Sequence, residues 1–283
     1  MQTLNVLVDG LYFPEGPRWR DGALYFSDFF RHEVLRLDAN GDLTQVVEVP
    51  QQPSGLGWLP SGELLIVSMK NRQLLRLDQQ GELHEHANLS GYAGGDCNDM
   101  VVDAKGRAYV GNFGYDPEAG EKPRAADLCL VATDGSAQVV ASDMRFPNGS
   151  VITADGSTLI VAESAGRRLT AFQINSDGTL SGRRVWADLG EHVPDGISLD
   201  AQLGVWVADP HKRCVFRVTE GGEISDLVET AGRAPFACAL GGEDGRTLYV
   251  CTAHGSGAQA RKSRTGCIES MRVKVAHVDL SQA

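Results

Sequence analysis

The sequence predicts an all-β fold, a six-bladed β-propeller with four-stranded blades, formed by residues 1–283 as a single domain. Two observations predict this fold. One unit recurs six times at intervals of 39 to 50 residues, and apolar residues at helical spacing are lacking over any useful length. Each unit opens with a short polar stretch containing glycine, followed by strands rich in β-branched and aromatic residues. Four strands within 40 to 50 residues is the spacing of a propeller blade.

The six units can be aligned by their first strands, which would form the innermost strands of the blades. The openings read, in order, "EGPRWRDGALYFSDF", "SGLGWLPSGELLIVSM", "NDMVVDAKGRAYVGNF", "NGSVITADGSTLIVAES", "DGISLDAQLGVWVADP" and "FACALGGEDGRTLYVCTA". The residues that begin them, called the ring positions below, are Glu15, Ser54, Asn98, Asn148, Asp195 and Phe236. If the units superpose, the ring positions meet at one mouth of the central channel.

The two ends of the chain are predicted to share the last blade. The sixth unit supplies three strands, the third within "GCIESMRVKVAHVDL", and the N-terminal "LNVLV" would add its outer strand. This pairing leaves no open sheet edge between the first and the last blade.

Composition and charge restrict the possible partners and compartment. The net charge of -11 argues against nucleic acid or an anionic membrane as a partner. No apolar run approaches the roughly 20 residues that span a bilayer, and the first residues lack the basic and apolar regions of a signal peptide. The six cysteines lack metal-ligand spacing and are expected to be buried free thiols. We therefore expect a cytoplasmic protein, whose oligomeric state the sequence does not determine.

Four of the six ring positions carry carboxylate or carboxamide side chains, namely Glu15, Asn98, Asn148 and Asp195. Each residue alone is also common in turns, but four in register would point at one axis. Oxygen ligands without histidine or cysteine are those that a hard divalent cation prefers. Two carboxylates would balance the charge of the ion, and amide oxygens would complete its shell. The sequence therefore predicts a metal site at this mouth.

The connection between the second and third strands of each blade should emerge on the same face as the ring positions. Its residues would rim the pocket, either as specificity contacts or as ordinary turn residues: Asp28, Phe29, Met69, Lys70, Asn112, Phe113, Glu163, Ser164, Asp209, Pro210, Thr252 and His254. Asn112 and Phe113 are candidates for substrate binding. His254 could be a proton shuttle or a polar rim residue.

The chain resembles the family of senescence marker protein (regucalcin), gluconolactonase and luciferin-regenerating enzyme. The motifs are "FPEGPRW" around Glu15, "NDMVVDAKGRAYVGNF" from Asn98, "FPNGSVITADGSTLIVAES" around Asn148 and "PDGISLDAQLGVWVAD" around Asp195. Together they span nearly the whole chain in the order of the family. The resemblance implies that Glu15, Asn148 and Asp195 bind one divalent metal ion, calcium, with zinc, manganese or magnesium as alternatives. It implies that Asn98 lies beside the metal, as a ligand or in contact with substrate.

One departure from the family concerns the substrate. Sugar lactonases of this family typically have an arginine two residues before the Asn of the ND motif, where this chain has Asp96. An ionised carboxylate cannot donate hydrogen bonds to substrate hydroxyls, so Asp96 makes a gluconolactone-like polyol doubtful. Arg124, in the long loop after Phe113, could replace the missing guanidinium.

The resemblance implies a metal-dependent hydrolase of a lactone or related ester. The metal would polarise the carbonyl and lower the pKa of a bound water. Asp195 would be the general base, and Asn98 would orient the carbonyl or stabilise the oxyanion. Two alternatives stay open: a phosphotriesterase that uses the same metal ring, and a calcium-binding platform without catalysis.

Overall fold

A computed structural model describes residues 3–117 and 119–277. Within these residues, 24 strands form six four-stranded antiparallel sheets arranged as the blades of a six-bladed β-propeller. Residues 1–2, 118 and 278–283 of the predicted domain 1–283 lie outside the described residues. The predicted fold class is confirmed.

The blades follow one another along the chain, each running from its inner to its outer strand. Blade 1 comprises β2 (Pro14–Arg20), β3 (Ala23–Asp28), β4 (Glu33–Leu37) and β5 (Leu43–Glu48). Blade 2 comprises β6 (Pro53–Trp58), β7 (Leu64–Ser68), β8 (Gln73–Leu77) and β9 (Leu83–Asn88). Blade 3 comprises β10 (Cys97–Val102), β11 (Ala108–Asn112), β12 (Ala126–Val131) and β13 (Ala137–Met144). Blade 4 comprises β14 (Pro147–Ile152), β15 (Thr158–Glu163), β16 (Arg168–Ile174) and β17 (Leu180–Asp188). Blade 5 comprises β18 (Ile197–Leu199), β19 (Val205–Asp209), β20 (Cys214–Val218) and β21 (Ile224–Glu229). Blade 6 comprises β22 (Ala234–Gly241), β23 (Thr247–Ala253), β24 (Gly266–Arg272) and β1 (Asn5–Leu11). A 3-10 turn (Ser164–Gly166) and a short helix α1 (Gly257–Ala260) interrupt the strands.

Burial decreases from the axis of the propeller to its rim. The second strands β7, "LLIVS", and β19, "VWVAD", are buried at every residue, because neighbouring blades cover both of their faces. The outer strands β5, β13 and β21 are largely exposed or half-buried and correspondingly polar. The six cysteines are free and buried, as predicted.

The sequence "RLD" occurs at residues 36–38 and 76–78, where the third strands of blades 1 and 2 end. The turns between the third and fourth strands explain this repetition. Asp38 accepts hydrogen bonds from the backbone N–H groups of Asn40, at 2.9 Å, and Asp42, at 3.0 Å. Gly41 of the same turn has a φ of +89°, which residues other than glycine rarely adopt. Asp78 makes the equivalent two bonds in blade 2.

The N-terminal strand closes the propeller. β1 pairs antiparallel with β24, with Asn5 opposite Ser270 and Leu11 opposite Gly266. The inner strands contact one another in a closed ring, in the order β2, β6, β10, β14, β18, β22 and back to β2. The predicted sharing of the last blade is therefore confirmed.

Among the residues described, no helix has the length and hydropathy required for a membrane span.

Candidate active site

The ring positions lie where the inner strands begin at one mouth of the channel. In five blades the pairing of the first and second strands is irregular there, as between Glu15 and Arg18 in blade 1 and between Pro147 and Ser150 in blade 4. A bulge of this kind re-aims a side chain away from the regular alternation of the strand. In blade 5 the inner strand begins only at Ile197, and Asp195 precedes it in extended chain whose N–H bonds to the Ala208 carbonyl at 2.9 Å.

Glycines bring the inner strands close enough for the ring side chains to meet. A Cβ atom on Gly149 would lie 2.5 Å from the Ile197 nitrogen, and one on Gly196 would lie 2.5 Å from the Ala237 Cβ. The Gly149 N–H donates to the Asp195 carbonyl at 3.2 Å, which joins blade 4 to blade 5 directly at the site. Only glycine permits this approach.

Four predicted side chains interact at this mouth. Asn98 Nδ2 donates to Asn148 Oδ1 at 3.2 Å, and the Asn148 side chain lies beside the Asp195 carboxyl group. Glu15 is close enough to Asp195 for their charges to repel. The structure thus brings together the four residues for which the sequence predicts metal ligation.

The two carboxyl groups are held in an environment that opposes ionisation. Desolvation raises the pKa of Glu15 from 4.5 to about 8, with repulsion from Asp99 as a smaller cause. Desolvation, followed by repulsion from Glu15 and Asp99, raises the pKa of Asp195 well above its usual value. A divalent cation between the two groups would offset this repulsion, so the residues present fit a bound metal.

The metal-free protein is expected to lose stability as the pH rises from about 4.5 to about 8. Over this range the unfolded chain has already released the Glu15 proton while the folded chain retains it, so the free energy of unfolding falls. Bound calcium should remove this fall, because it stabilises the ionised carboxylate. Thermal unfolding across the range, with chelator and with calcium, checks the prediction. Identical metal-free profiles for the wild type and Glu15→Gln would contradict it.

A third carboxylate, Asp99, lies deeper at the same inner strands and was not a predicted site residue. Its Oδ1 pairs with Arg18 Nη2 at 2.7 Å, and Arg18 also donates to the Met100 carbonyl at 2.6 Å. Gly55 leaves room for Asp99, since a Cβ there would lie 2.8 Å from Asp99 Oδ1. The sequence held one signal for Asp99, because the equivalent positions of four other units are Gly16, Gly55, Gly149 and Gly196.

The predicted rim residues fall into two groups. Seven of them are buried: Asp28, Phe29, Met69, Asn112, Glu163, Asp209 and Thr252. Asn112, a predicted substrate contact, is fully buried, with Nδ2 donating to the Asp127 carbonyl at 2.6 Å and Oδ1 accepting from the Gly114 N–H at 2.9 Å. The others are accessible to solvent: four are half-buried, namely Lys70, Phe113, Ser164 and Pro210, and His254 is exposed.

Asp96 has a cationic partner that the sequence did not reveal. Its Oδ2 lies 2.6 Å from Lys70 Nζ on the connection between β7 and β8 of the neighbouring blade. Arg124, the possible replacement for the missing guanidinium, instead pairs with Glu121 at 2.8 Å and donates to the Gly114 carbonyl at 3.2 Å.

Aromatic side chains provide apolar surface beside these polar groups. Phe113 stacks on Phe146 with ring centroids 4.8 Å apart, and Tyr115 meets Phe146 edge-on at 6.2 Å. Phe13 and Phe236, from the first and last blades, approach to 4.6 Å. Phe146 lies two residues before the ring position Asn148, and Phe236 is itself a ring position. Both aromatic groups therefore border the site.

Two thiols near carboxylates do not make a competing site. Cys97, next to Asn98, is fully buried, and desolvation raises the pKa of its thiol, which suits a packed residue. His192, Asp209 and Cys214 place potential ligand atoms within 4.8 Å of one another. However, Asp209 already accepts from the N–H groups of Val193, His211 and Lys212 and lies 2.8 Å from His192 Nδ1, and burial raises the pKa of Cys214 to about 12.

Known proteins resemble this chain over most of its length. It is 26% identical over 271 residues to the 6-deoxy-6-sulfogluconolactonase of Pseudomonas putida, covering 92% of this chain and 91% of that protein. It is 26% identical over 265 residues to the pentonolactonase XacC of Haloferax volcanii, covering 91% and 87%.

The fold matches the structure of a calcium-binding protein, regucalcin, from Agrobacterium tumefaciens. The TM-score is 0.82 at 23% identity, covering 98% of this chain and 95% of that chain, and at this identity the likeness shows the fold alone. Residues 13–254 match the family model of the SMP-30/Gluconolactonase/LRE-like region. Since that match covers most of the chain, the protein belongs to the SMP-30/gluconolactonase/LRE-like family.

Proposed function

We propose that the protein hydrolyses a lactone and depends on one divalent metal ion, calcium, held by Glu15, Asn148 and Asp195 with Asn98 beside them. The observation that supports this most is the convergence of four oxygen-bearing side chains at one mouth, where Asn98 Nδ2 lies 3.2 Å from Asn148 Oδ1 and the carboxyl groups of Glu15 and Asp195 are close enough to repel. Desolvation raises the pKa values of both carboxyl groups, so the ionised pair is unfavourable without a cation. A set of oxygen ligands suits calcium, and zinc, manganese and magnesium are the alternatives to test.

The relatives support the reaction class. Two of them are named as lactonases that act on sugar-derived lactones, and a structural neighbour is named as a calcium-binding protein. Membership of the SMP-30/gluconolactonase/LRE-like family, together with these lactonase relatives, supports lactone hydrolysis over a phosphotriesterase or a platform.

When bound, the metal would polarise the lactone carbonyl and lower the pKa of a water at the site. We assign proton removal from the attacking water to the Asp195 carboxylate. The Asn98 amide has two N–H donors, of which one bonds to Asn148, so the other can donate to the developing oxyanion. Water adds to the carbonyl carbon, the acyl C–O bond of the ring breaks, and the ring oxygen leaves with a proton as a hydroxyl. The product is the open hydroxy acid.

We assign substrate contacts to the rim formed by Asp96, Phe113 and His254. The Phe113 ring, held by its stack on Phe146, would pack against the lactone ring. The Lys70 ammonium group, placed by Asp96, would supply the donor that the family's arginine supplies elsewhere. Asn112 would act on the substrate only through the loop that it holds, since its own amide is engaged. A cytoplasmic location is part of the same proposal.

The test is a panel of sugar and aliphatic lactones, followed by proton release, with chelator-treated protein and each metal added back. We expect turnover only with a divalent metal, and most with calcium. Lactones with fewer hydroxyls should match or exceed gluconolactone, because the Lys70 ammonium group, already paired with Asp96, offers fewer N–H donors than an arginine guanidinium would.

Two results would overturn the proposal in different directions. Turnover of phosphotriesters but not of lactones would establish the phosphotriesterase alternative. Tight calcium binding without turnover of either class would establish the platform.

A further inference from the structure

In blades 1 to 4 a recurrent contact joins the end of the second strand to the segment before the ring position. The N–H of the residue after the second strand donates to the carbonyl two residues ahead of the ring position: Phe29 to Phe13 at 3.1 Å, Met69 to Gln52 at 2.9 Å, Phe113 to Asp96 at 2.9 Å and Ser164 to Phe146 at 3.1 Å. Blades with and without a proposed metal ligand share this contact, so it belongs to the fold.

The side chain of the last residue of the second strand, or of the next-to-last residue in blade 6, differs between the two kinds of blade. In blades 1, 4 and 5, whose ring positions are Glu15, Asn148 and Asp195, it is a carboxylate: Asp28, Glu163 and Asp209. In blades 2, 3 and 6 it is neutral: Ser68, Asn112 and Thr252. All six side chains belong to buried residues, so exposure does not explain the difference.

The three carboxylates bind the backbone immediately ahead of the proposed ligands. Asp28 accepts from the N–H groups of Tyr12 at 2.9 Å and Phe13 at 3.0 Å, three and two residues before Glu15 respectively. Glu163 accepts from the Arg145 N–H at 2.7 Å, three residues before Asn148.

Blade 5 shows the same arrangement. Asp209 accepts from the Val193 N–H at 3.3 Å, two residues before Asp195, and lies 2.8 Å from His192 Nδ1.

The neutral residues of the other blades make different contacts. Asn112 bonds to Gly114 in the loop that follows it and to Asp127 on the third strand of its blade, and Thr252 Oγ1 donates to Glu269 Oε2 at 2.6 Å on the third strand of blade 6. The Ser68 hydroxyl makes no hydrogen bond within the described residues. None of the bonds described for these three side chains reaches the segment before a ring position.

We propose that Asp28, Glu163 and Asp209 are positioning residues, an inference that rests on the proposed metal site. Each fixes the backbone from which one proposed metal ligand projects, in order Glu15, Asn148 and Asp195. A carboxylate can accept several N–H groups at once, whereas an amide or hydroxyl offers fewer acceptor sites. The three buried charges thus fix three ligand-bearing segments, while blades without a ligand do without them. Groups behind metal ligands commonly change metal affinity by about 10- to 100-fold when replaced.

The experiment measures calcium binding to the full chain by titration calorimetry, with thermal unfolding of the metal-free protein alongside. Asp28→Asn, Glu163→Gln and Asp209→Asn replace one acceptor oxygen by a donor, so each should weaken calcium binding by about tenfold or more. The matched control is Thr252→Val, which removes a buried hydrogen bond at the same position of blade 6. It should lower the unfolding temperature while leaving calcium affinity within about twofold of the wild type, well short of the change at the three carboxylates.

A second variant separates geometry from charge and guards against misfolding. Asp28→Glu keeps the charge and the acceptors but moves them by one methylene, so we expect a folded protein with weakened calcium binding. Wild-type affinity in Asp28→Glu together with loss in Asp28→Asn would show that charge alone matters and would overturn the positioning role.

The proposal and the metal site on which it rests fail in distinguishable ways. No saturable calcium binding by the wild type would overturn both. Binding that is lost in Glu15→Gln but unchanged, relative to Thr252→Val, in all three carboxylate variants would overturn the positioning role and leave the metal site standing.

Discussion

Asp195→Asn is expected to reduce lactone turnover by at least about 1000-fold, because it removes both a proposed metal ligand and the proposed general base. The same change should stabilise the metal-free protein, since it removes a desolvated carboxyl group beside Glu15 and Asp99. The unfolding temperature should rise by about 2–4 °C for each kcal/mol of repulsion relieved. Turnover, calcium affinity and metal-free thermal unfolding measure the three effects.

Asp188→Asn provides the matched control. Asp188 is exposed and caps its own turn through the Gly190 N–H at 2.9 Å, a bond that an asparagine oxygen can also accept. We expect no change in turnover or calcium affinity. If Asp195→Asn retained calcium affinity and turnover within tenfold of the wild type, the assigned roles of Asp195 would be wrong.

Gly149→Ala is expected to destabilise the fold by about 1–3 kcal/mol and to weaken calcium binding as well. The new methyl group would lie 2.5 Å from the Ile197 nitrogen and 2.9 Å from the Asp195 carbonyl oxygen. Both are backbone atoms that cannot rotate away, so blades 4 and 5 must move apart at the site. Denaturant unfolding and calcium titration measure the two effects.

Gly91→Ala is the comparison for Gly149→Ala. No atom lies within 4 Å of a Cβ built on Gly91, which is exposed and has no positive φ. The substitution should leave stability unchanged or raise it by about 0.4–1 kcal/mol through the unfolded chain. Equal destabilisation by the two substitutions would show that the close approach at Gly149 is not the cause.

The strand order and the closing strand were predictable because they follow from the repeat itself. Six openings with the same pattern of apolar residues and turns define the blades, and the missing fourth strand of the last unit points to "LNVLV". The convergence of Glu15, Asn98, Asn148 and Asp195 at one mouth follows from aligning the repeats, with no knowledge of the distances between them.

Contacts between blades were not predictable in the same way. Arg18 and Asp99 are separated by 81 residues, and Lys70 and Asp96 by 26, so no local pattern pairs them. Alignment of the repeats also does not predict in which direction a side chain at the end of a strand points. Asn112 and Phe113 are neighbours in sequence, but successive side chains of a strand point to opposite sides, and only Phe113 retains access to solvent.

The pairing of β1 with β24 sets the order of events in biosynthesis. Asn5 is made before its partner Ser270, and the strands of blades 1 to 5 are made between them. Until β24 is made, β1 has no strand to pair with and β23 lacks its neighbour on that side. Closure of so long a loop is entropically costly and slow, so the last step of folding should limit the rate and expose the nascent chain to aggregation.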